Sequence, residues 1–151
     1  MVAVNGAILV NYVAPSSPAE LAGLKFGDQI TSVNGEVVMG FSANLTCRLI
    51  KSSLAKVSLK VRKRPFTQTY LLEKGLDNKI GVHLTGNKVV KVEHGSSAAR
   101  CGLTPDQCII EVNGKSVAGQ EGKTVKLISQ APPSFFVTVL PKDLYKQMPP
   151  P

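Results

Sequence analysis

Short apolar runs alternating with polar positions recur at two matched places along the chain. Gln29 to Val33 and Cys108 to Val112 read as apolar strands, and Lys56 to Val61 and Phe135 to Leu140 alternate as half-buried strands do. Each strand of the first pair runs straight into Asn-Gly, the dipeptide that supplies the positive φ angles of a tight hairpin turn. Ahead of each, Ser17 or Ser96 stands where its hydroxyl can cap a short helix, and Gly23 or Gly102 stands where that helix ends. Behind each turn a second helix is predicted, over Ala43 to Ser52 and over Glu121 to Ser129. The second half carries three further predicted strands in front, Phe66 to Lys74, Lys79 to Thr85 and Lys88 to Val92. Many short strands with two helices covering the open ends describe a mainly β fold, a small partly open barrel.

The matched places are copies. SPAELAGLKFGDQITSVNGEVVMG (Ser17 to Gly40) and SSAARCGLTPDQCIIEVNGKSVAG (Ser96 to Gly119) align without a gap at an offset of 79. They share Ala19/Ala98, Gly23/Gly102, Leu24/Leu103, Ile30/Ile109, Val33/Val112, Asn34/Asn113, Gly35/Gly114, Val38/Val117 and Gly40/Gly119. A period this long marks a duplicated domain, since solenoid units are shorter. The counterparts of the first two front strands are expected ahead of Met1, with only Ile8 to Val13 left to match the third. The expectation is a truncated module over residues 1–62, a complete one over 66–141 and a Pro-rich tail over 142–151. Arg62-Lys63-Arg64-Pro65 is then a short, charged connector that holds the modules close. Without its front strands the first copy is expected to expose Ile8, Val10 and Ile30 in part, to bind no ligand and to be the less stable half.

Composition narrows the classes. Hydrophobic residues at 43% suffice for packed cores, and no apolar run approaches the roughly 20 residues needed to cross a bilayer. Met1 to Asn11 lacks the basic region and cleavage site of a secretory signal. Three cysteines, Cys47, Cys101 and Cys108, suit no disulfide framework and fit a reducing cytosol. The net charge of +8 favours anionic partners. Nucleic acid is the weakest of these, because no Arg-bearing helix, zinc spacing or aromatic stacking pattern accompanies the charge. Catalysis finds no footing either. His83 and His94 have no metal-ligand spacing, no nucleophile elbow or Walker loop occurs, and no acidic pair or base near Cys101 stands out. No cofactor and no metal are expected.

SPAELAGLKFGDQITSVNG, NKIGV and SSAARCGL, with helix, strand and Asn-Gly turn in the same order twice, resemble PDZ domains. The tandem order, the Arg64-Pro65-Phe66 connector and the short tail are similar to the syntenin branch of that family. The resemblance implies that Lys79-Ile80-Gly81-Val82 is the family's carboxylate-binding loop. Its consecutive amides would point into one concavity, and Gly81 would let a ligand approach the backbone. A peptide would then add as a strand beside Val82 to Thr85. Alternation puts Ile80, Val82 and Leu84 on one face, and i, i+4, i+7 spacing gathers Glu121, Val125 and Ile128 on one side of the second helix. Taken alone, the aliphatic members of these sets would read as core; the loop in front makes them the pocket for a ligand's last side chain. Glu121 stands where Ser/Thr-reading relatives have His, so ligands apolar two residues from the end are expected.

The resemblance also implies phosphoinositide binding, with Lys74 and Lys79 bordering the groove and Arg62, Lys63 and Arg64 beside it. Thr85 replaces a Lys that the family can carry. The resulting expectation is a cytoplasmic adaptor, peripheral at the plasma membrane. It would bind C-terminal tails of transmembrane receptors or other proteins and a phosphoinositide surface, and such modules allow self-association. Two alternatives remain: a regulatory fragment of a PDZ-bearing serine protease, and a module that binds lipid alone.

Overall fold

In the computed structural model, which describes residues 1–150, Asn-Gly turns a hairpin at three places. Asn5-Gly6, Asn34-Gly35 and Asn113-Gly114 take nearly the same pair of positive φ angles: 49° and 83°, 48° and 84°, 50° and 82°. These are the angles of a type I′ turn, whose twist matches the strands it joins. The first of them corrects the expectation for the front of the chain. β1 (Val2–Val4) folds back on β2 (Ala7–Leu9) with Val2 opposite Leu9 and Val4 opposite Ala7, so the first copy has a hairpin before Val10.

The chain forms two units, Met1–Phe66 with the residues from Gln147 on, and Thr67–Lys146. In the first, α1 (Pro18–Leu21) is capped by the Ser17 hydroxyl, which accepts from the Glu20 amide at 3.2 Å. β3 (Gln29–Val33) is the central strand, paired with β2, with β4 (Glu36–Val37) and with β5 (Leu59–Arg62). α2 (Ala43–Lys51) starts at Ser42, whose hydroxyl accepts from Leu45 at 3.0 Å. Its Leu49 and Ile50, with Leu24, Phe41 and Val13, pack on Ile8, Val10, Ile30, Val33 and Val38. Ile8, Val10 and Ile30 are accordingly 1%, 4% and 2% exposed, contrary to the expectation of open apolar faces. The helix, the loops and the extra hairpin cover them.

The tail also departs from expectation. Lys142–Lys146 is a helix of the second unit, and the residues after it belong to the first, where the Asn11 amide donates to the Pro149 carbonyl at 2.7 Å and Met148 is buried. Pro151 lies outside the described residues.

In the second unit the sheet runs β6 (Gln68–Glu73), β11, β9, β8, β7 (Val82–Thr85), with β8 at Lys88–Val92. α3 (Ser97–Cys101) is capped by Ser96 and ends on Gly102 at φ 92°. β9 (Gln107–Val112) leads through the hairpin to β10 (Lys115–Ser116). A 3₁₀ turn over Glu121–Lys123 precedes α4 (Thr124–Gln130); β11 (Ser134–Pro141) and α5 (Lys142–Lys146) follow. Leu72, Val89, Ala98, Leu103, Ile109 and Phe135 are among its buried core. The outcome is a mainly β, PDZ-like fold in each unit, and β7 lies at the edge of its sheet with one side unpaired.

Candidate functional site

β7 is an edge whose backbone faces outward at alternate residues. The Glu93 amide donates to the Gly81 carbonyl at 2.7 Å, and Val82 lies opposite Val92. The Gly81 carbonyl thus faces β8, and the neighbouring Val82 turns its own amide and carbonyl to the open edge. α4 lies across from this edge, and between them runs a groove of about 800 Å3. Among its lining residues are Lys79, Ile80, Gly81, Val82 and Leu84 from the strand side, with Val125 and Ile128 from the helix. The structure thus brings the loop and most of the expected pocket together.

Before β7, the loop is held by its oxygens. The Lys79 carbonyl accepts from Gly75 at 2.8 Å, that of Ile80 from Ala98 at 3.2 Å, and that of Gly81 from Glu93. Asp77 accepts from the Lys79 amide at 3.1 Å. The amides of Ile80 and Gly81 donate to no partner among the described residues. Adjacent free amides at a concave turn are an anion-binding arrangement. Gly81 is needed for a reason other than the one expected. Its φ is +86°, and a Cβ there would stand 2.2 Å from Ser96 Cβ and 2.5 Å from Ser96 Oγ. It is the capping serine of α3 that requires glycine, by packing behind the loop.

The apolar residues divide between core and groove. Ile80 is 6% exposed and belongs to the core, Val82, Leu84 and Ile128 are half-buried against it, and Val125 is 59% exposed. His83 is exposed yet still borders the groove, where its Nε2 meets Glu93 Oε1 at 2.5 Å. That hydrogen bond, and after it the charge of Lys91, holds the Glu93 carboxyl below its usual range.

Glu121 is not in the groove. The 3₁₀ turn changes the period from 3.6 to 3 residues, so the i, i+4 stacking of Glu121 under Val125 fails. Its Oε1 instead accepts from the Tyr145 hydroxyl at 2.7 Å. Lys74 lines the groove, yet its ammonium is engaged. Nζ donates to the carbonyls of Ala131 at 2.6 Å and Ser129 at 3.2 Å, at the C-terminal end of α4, and lies 5.7 Å from the Phe135 ring centre. Arg62, Lys63 and Arg64 belong to the first unit. There Lys63 pairs with the fully buried Asp28 carboxylate at 3.3 Å, and Asp28 also accepts from the Arg64 amide at 3.0 Å. The sequence reading missed Arg100 and Ser96 at the groove. Lys74, Lys79 and Arg100 face Glu73, Asp77 and Glu93 along its lining, so the basic excess of the chain is not concentrated there.

No group of three or more His, Cys, Asp or Glu that could hold a metal occurs among the described residues, and no helix is long and apolar enough to cross a membrane.

Known proteins are similar to this chain over most of its length. It is 34% identical to Syntenin-2 of Rattus norvegicus over 148 residues, covering 97% of this chain and 50% of that protein. Against Syntenin-1 of Mus musculus the identity is 31% over 147 residues, 96% of this chain and 49% of the relative. It is 29% identical over 145 residues to Amyloid-beta A4 precursor protein-binding family A member 1 of Homo sapiens, covering 92% of this chain and 17% of the other. The chain thus spans about half the length of the syntenins it matches. A family model described as PDZ domain matches twice, over residues 9–63 and 88–140. The second match begins after the loop at Lys79–Val82, so the groove stands on geometry alone. Together the two segments make up well over half of the sequence, and this chain belongs to the PDZ domain family.

Proposed function

We propose that the chain is a non-catalytic adaptor whose second unit binds the free C-terminal tails of membrane proteins by strand addition. One observation carries this reading: an unpaired β7 edge that begins at a loop with free amides and faces an apolar helix across a groove. A peptide backbone completes the edge, its carboxylate meets the amides of Ile80, Gly81 and Val82, and its last side chain rests among Val82, Leu84 and Ile128. The exposed Val125 and the withdrawal of Glu121 favour an apolar side chain two positions earlier. Likeness to syntenins and to an amyloid precursor-binding protein supports an adaptor role.

Recruitment to a phosphoinositide surface at the cytoplasmic side of the plasma membrane is part of the proposal, with Lys79 and Arg100 at the groove as its cations. Each basic residue near such a surface contributes about 1 kcal/mol, so several must act together. Liposome sedimentation with Lys79→Glu and Arg100→Glu tests that part; unchanged binding would remove it.

The peptide proposal is tested by titrating the chain with one apolar-ended peptide, free and amidated. Micromolar affinity, about −8 kcal/mol, is expected for the free acid, with most of it lost on amidation. Equal binding of the two forms would refute the assignment of the loop.

A further inference from the structure

The PDZ domain match ends at residue 140, and α5 lies beyond it. From α5, Tyr145 reaches back to the end of the groove away from the carboxylate loop. Its hydroxyl donates to Glu121 Oε1 at 2.7 Å and accepts from the Gly119 amide at 3.2 Å, both just before α4. Gly86 lies in the turn between β7 and β8, on the wall of the groove opposite Glu121. The walls touch there: a Cβ on Gly86 would stand 3.2 Å from Glu121 Cβ. Asn87, beside Gly86, is fixed, donating to the Ile109 carbonyl at 2.9 Å.

We propose that Tyr145 is a clamp, a positioning residue that holds Glu121, at the start of α4, against Gly86 of the β7–β8 turn and so closes the far end of the groove. It rests on the peptide-binding reading only for its consequence, which is selectivity for the upstream residues of a ligand. The carboxylate end is held independently, by the Gly75, Ala98 and Glu93 amides that bond the loop carbonyls. A tail that occupies only that end does not sense the clamp, whereas an extended tail must leave the groove across the walls that Tyr145 holds together.

Tyr145→Phe keeps the ring and removes the hydroxyl alone. Two free-acid peptides with the same apolar end are titrated against the whole chain, one of three residues and one of eight. The longer should bind about fivefold more weakly to the variant, the worth of one hydrogen bond, while the shorter is unchanged. Glu121→Gln retains an acceptor for Tyr145 and should keep the wild-type ratio. Equal loss for both peptides, or no loss for either, would overturn the clamp. Amide exchange decides it without a peptide: Gly119 and the Gly86–Asn87 turn should exchange faster in Tyr145→Phe, with Gly81 and Val82 unaffected. Exchange unchanged at Gly119 and the turn also refutes it. If neither peptide binds the wild type, the peptide-binding reading fails, and the exchange result still rules on the clamp.

Discussion

Replacing Gly81 by alanine should destabilise the second unit by more than loss of a favourable backbone angle explains. Two effects act at this position. At φ +86° an L-residue is strained, which costs roughly 1–2 kcal/mol. The new Cβ would also stand 2.2 Å from Ser96 Cβ, where neither atom is the far end of a flexible chain. Ser96 must shift, and with it the cap it gives to Ala99 at 3.2 Å, worth about 1 kcal/mol. The sum is about 2–3 kcal/mol, a large share of the roughly 5–15 kcal/mol that holds a domain together. Gly102→Ala is the control, because Gly102 has φ +92° and nothing within 4 Å of its would-be Cβ. Urea denaturation should rank Gly81→Ala below Gly102→Ala by about 1 kcal/mol or more. Adding Ser96→Gly removes the clashing atoms while costing a cap only a few tenths of a kcal/mol, so the double variant should recover stability. Gly81→Ala as stable as Gly102→Ala, or no recovery in the double variant, would refute the packing account.

Lys74→Met should lower stability by about 1–3 kcal/mol through the loss of its bonds to the Ala131 and Ser129 carbonyls, as read by urea denaturation. Unchanged stability would return Lys74 to the surface. Asp28→Ala should cost about 2–3 kcal/mol, because the Lys25 and Arg64 amides that bond its buried carboxylate lose their acceptor. Lys63→Met should cost under about 1 kcal/mol, since that side chain is 65% exposed, and equal costs in a thermal melt would refute the distinction. Burial, before the nearby Glu121 carboxylate, raises the Tyr145 phenol to about 12. A pKa raised on folding gives stability that is whole below the unfolded value near 10 and is lost as pH climbs towards 12. Tyr145→Phe should flatten that alkaline fall, and an identical pH profile would refute it.

Local chemistry made much of the fold legible, and its failures have local reasons too. Ser17 and Ser96 cap, Gly102 terminates, and Asn34-Gly35 and Asn113-Gly114 turn, each through bonds or angles set within a few residues. Asn5-Gly6 carried the same signal, with apolar residues on both sides, and counting back 79 from Val82–Thr85 lands on residues 3–6, so the repeat also pointed to a strand there. The hairpin itself lies two residues out of step with its counterpart at Gly86-Asn87. Helical spacing carried Val125 and Ile128 into the groove but failed one turn earlier, at the 3₁₀ segment of Glu121. Partners far away in sequence were out of reach. Nothing near Asn11 points to Pro149, nor near Lys63 to Asp28, and surface lysines such as Lys74 read as free charge until their acceptors are seen.

What distinguishes this groove is how little of it depends on side-chain chemistry. The loop's three carbonyls are used internally, Asp77 fixes the Lys79 amide, and the capping serine of α3 packs directly behind Gly81. The free amides are therefore oriented before any ligand arrives, and a binding strand meets a site whose ordering was completed on folding. On the proposed function, such a site would recognise a free carboxyl end as a class and leave choice among tails to the half-buried aliphatic residues and to groove width. Aliphatic contacts discriminate weakly, since one methylene more or less is worth only about 1–3 kcal/mol. The stronger lever is then geometric, and it acts where the walls meet, at the hydroxyl that Glu121 and Gly119 share. Selectivity would thus be set from outside the duplicated core, by a helix that the repeat does not contain.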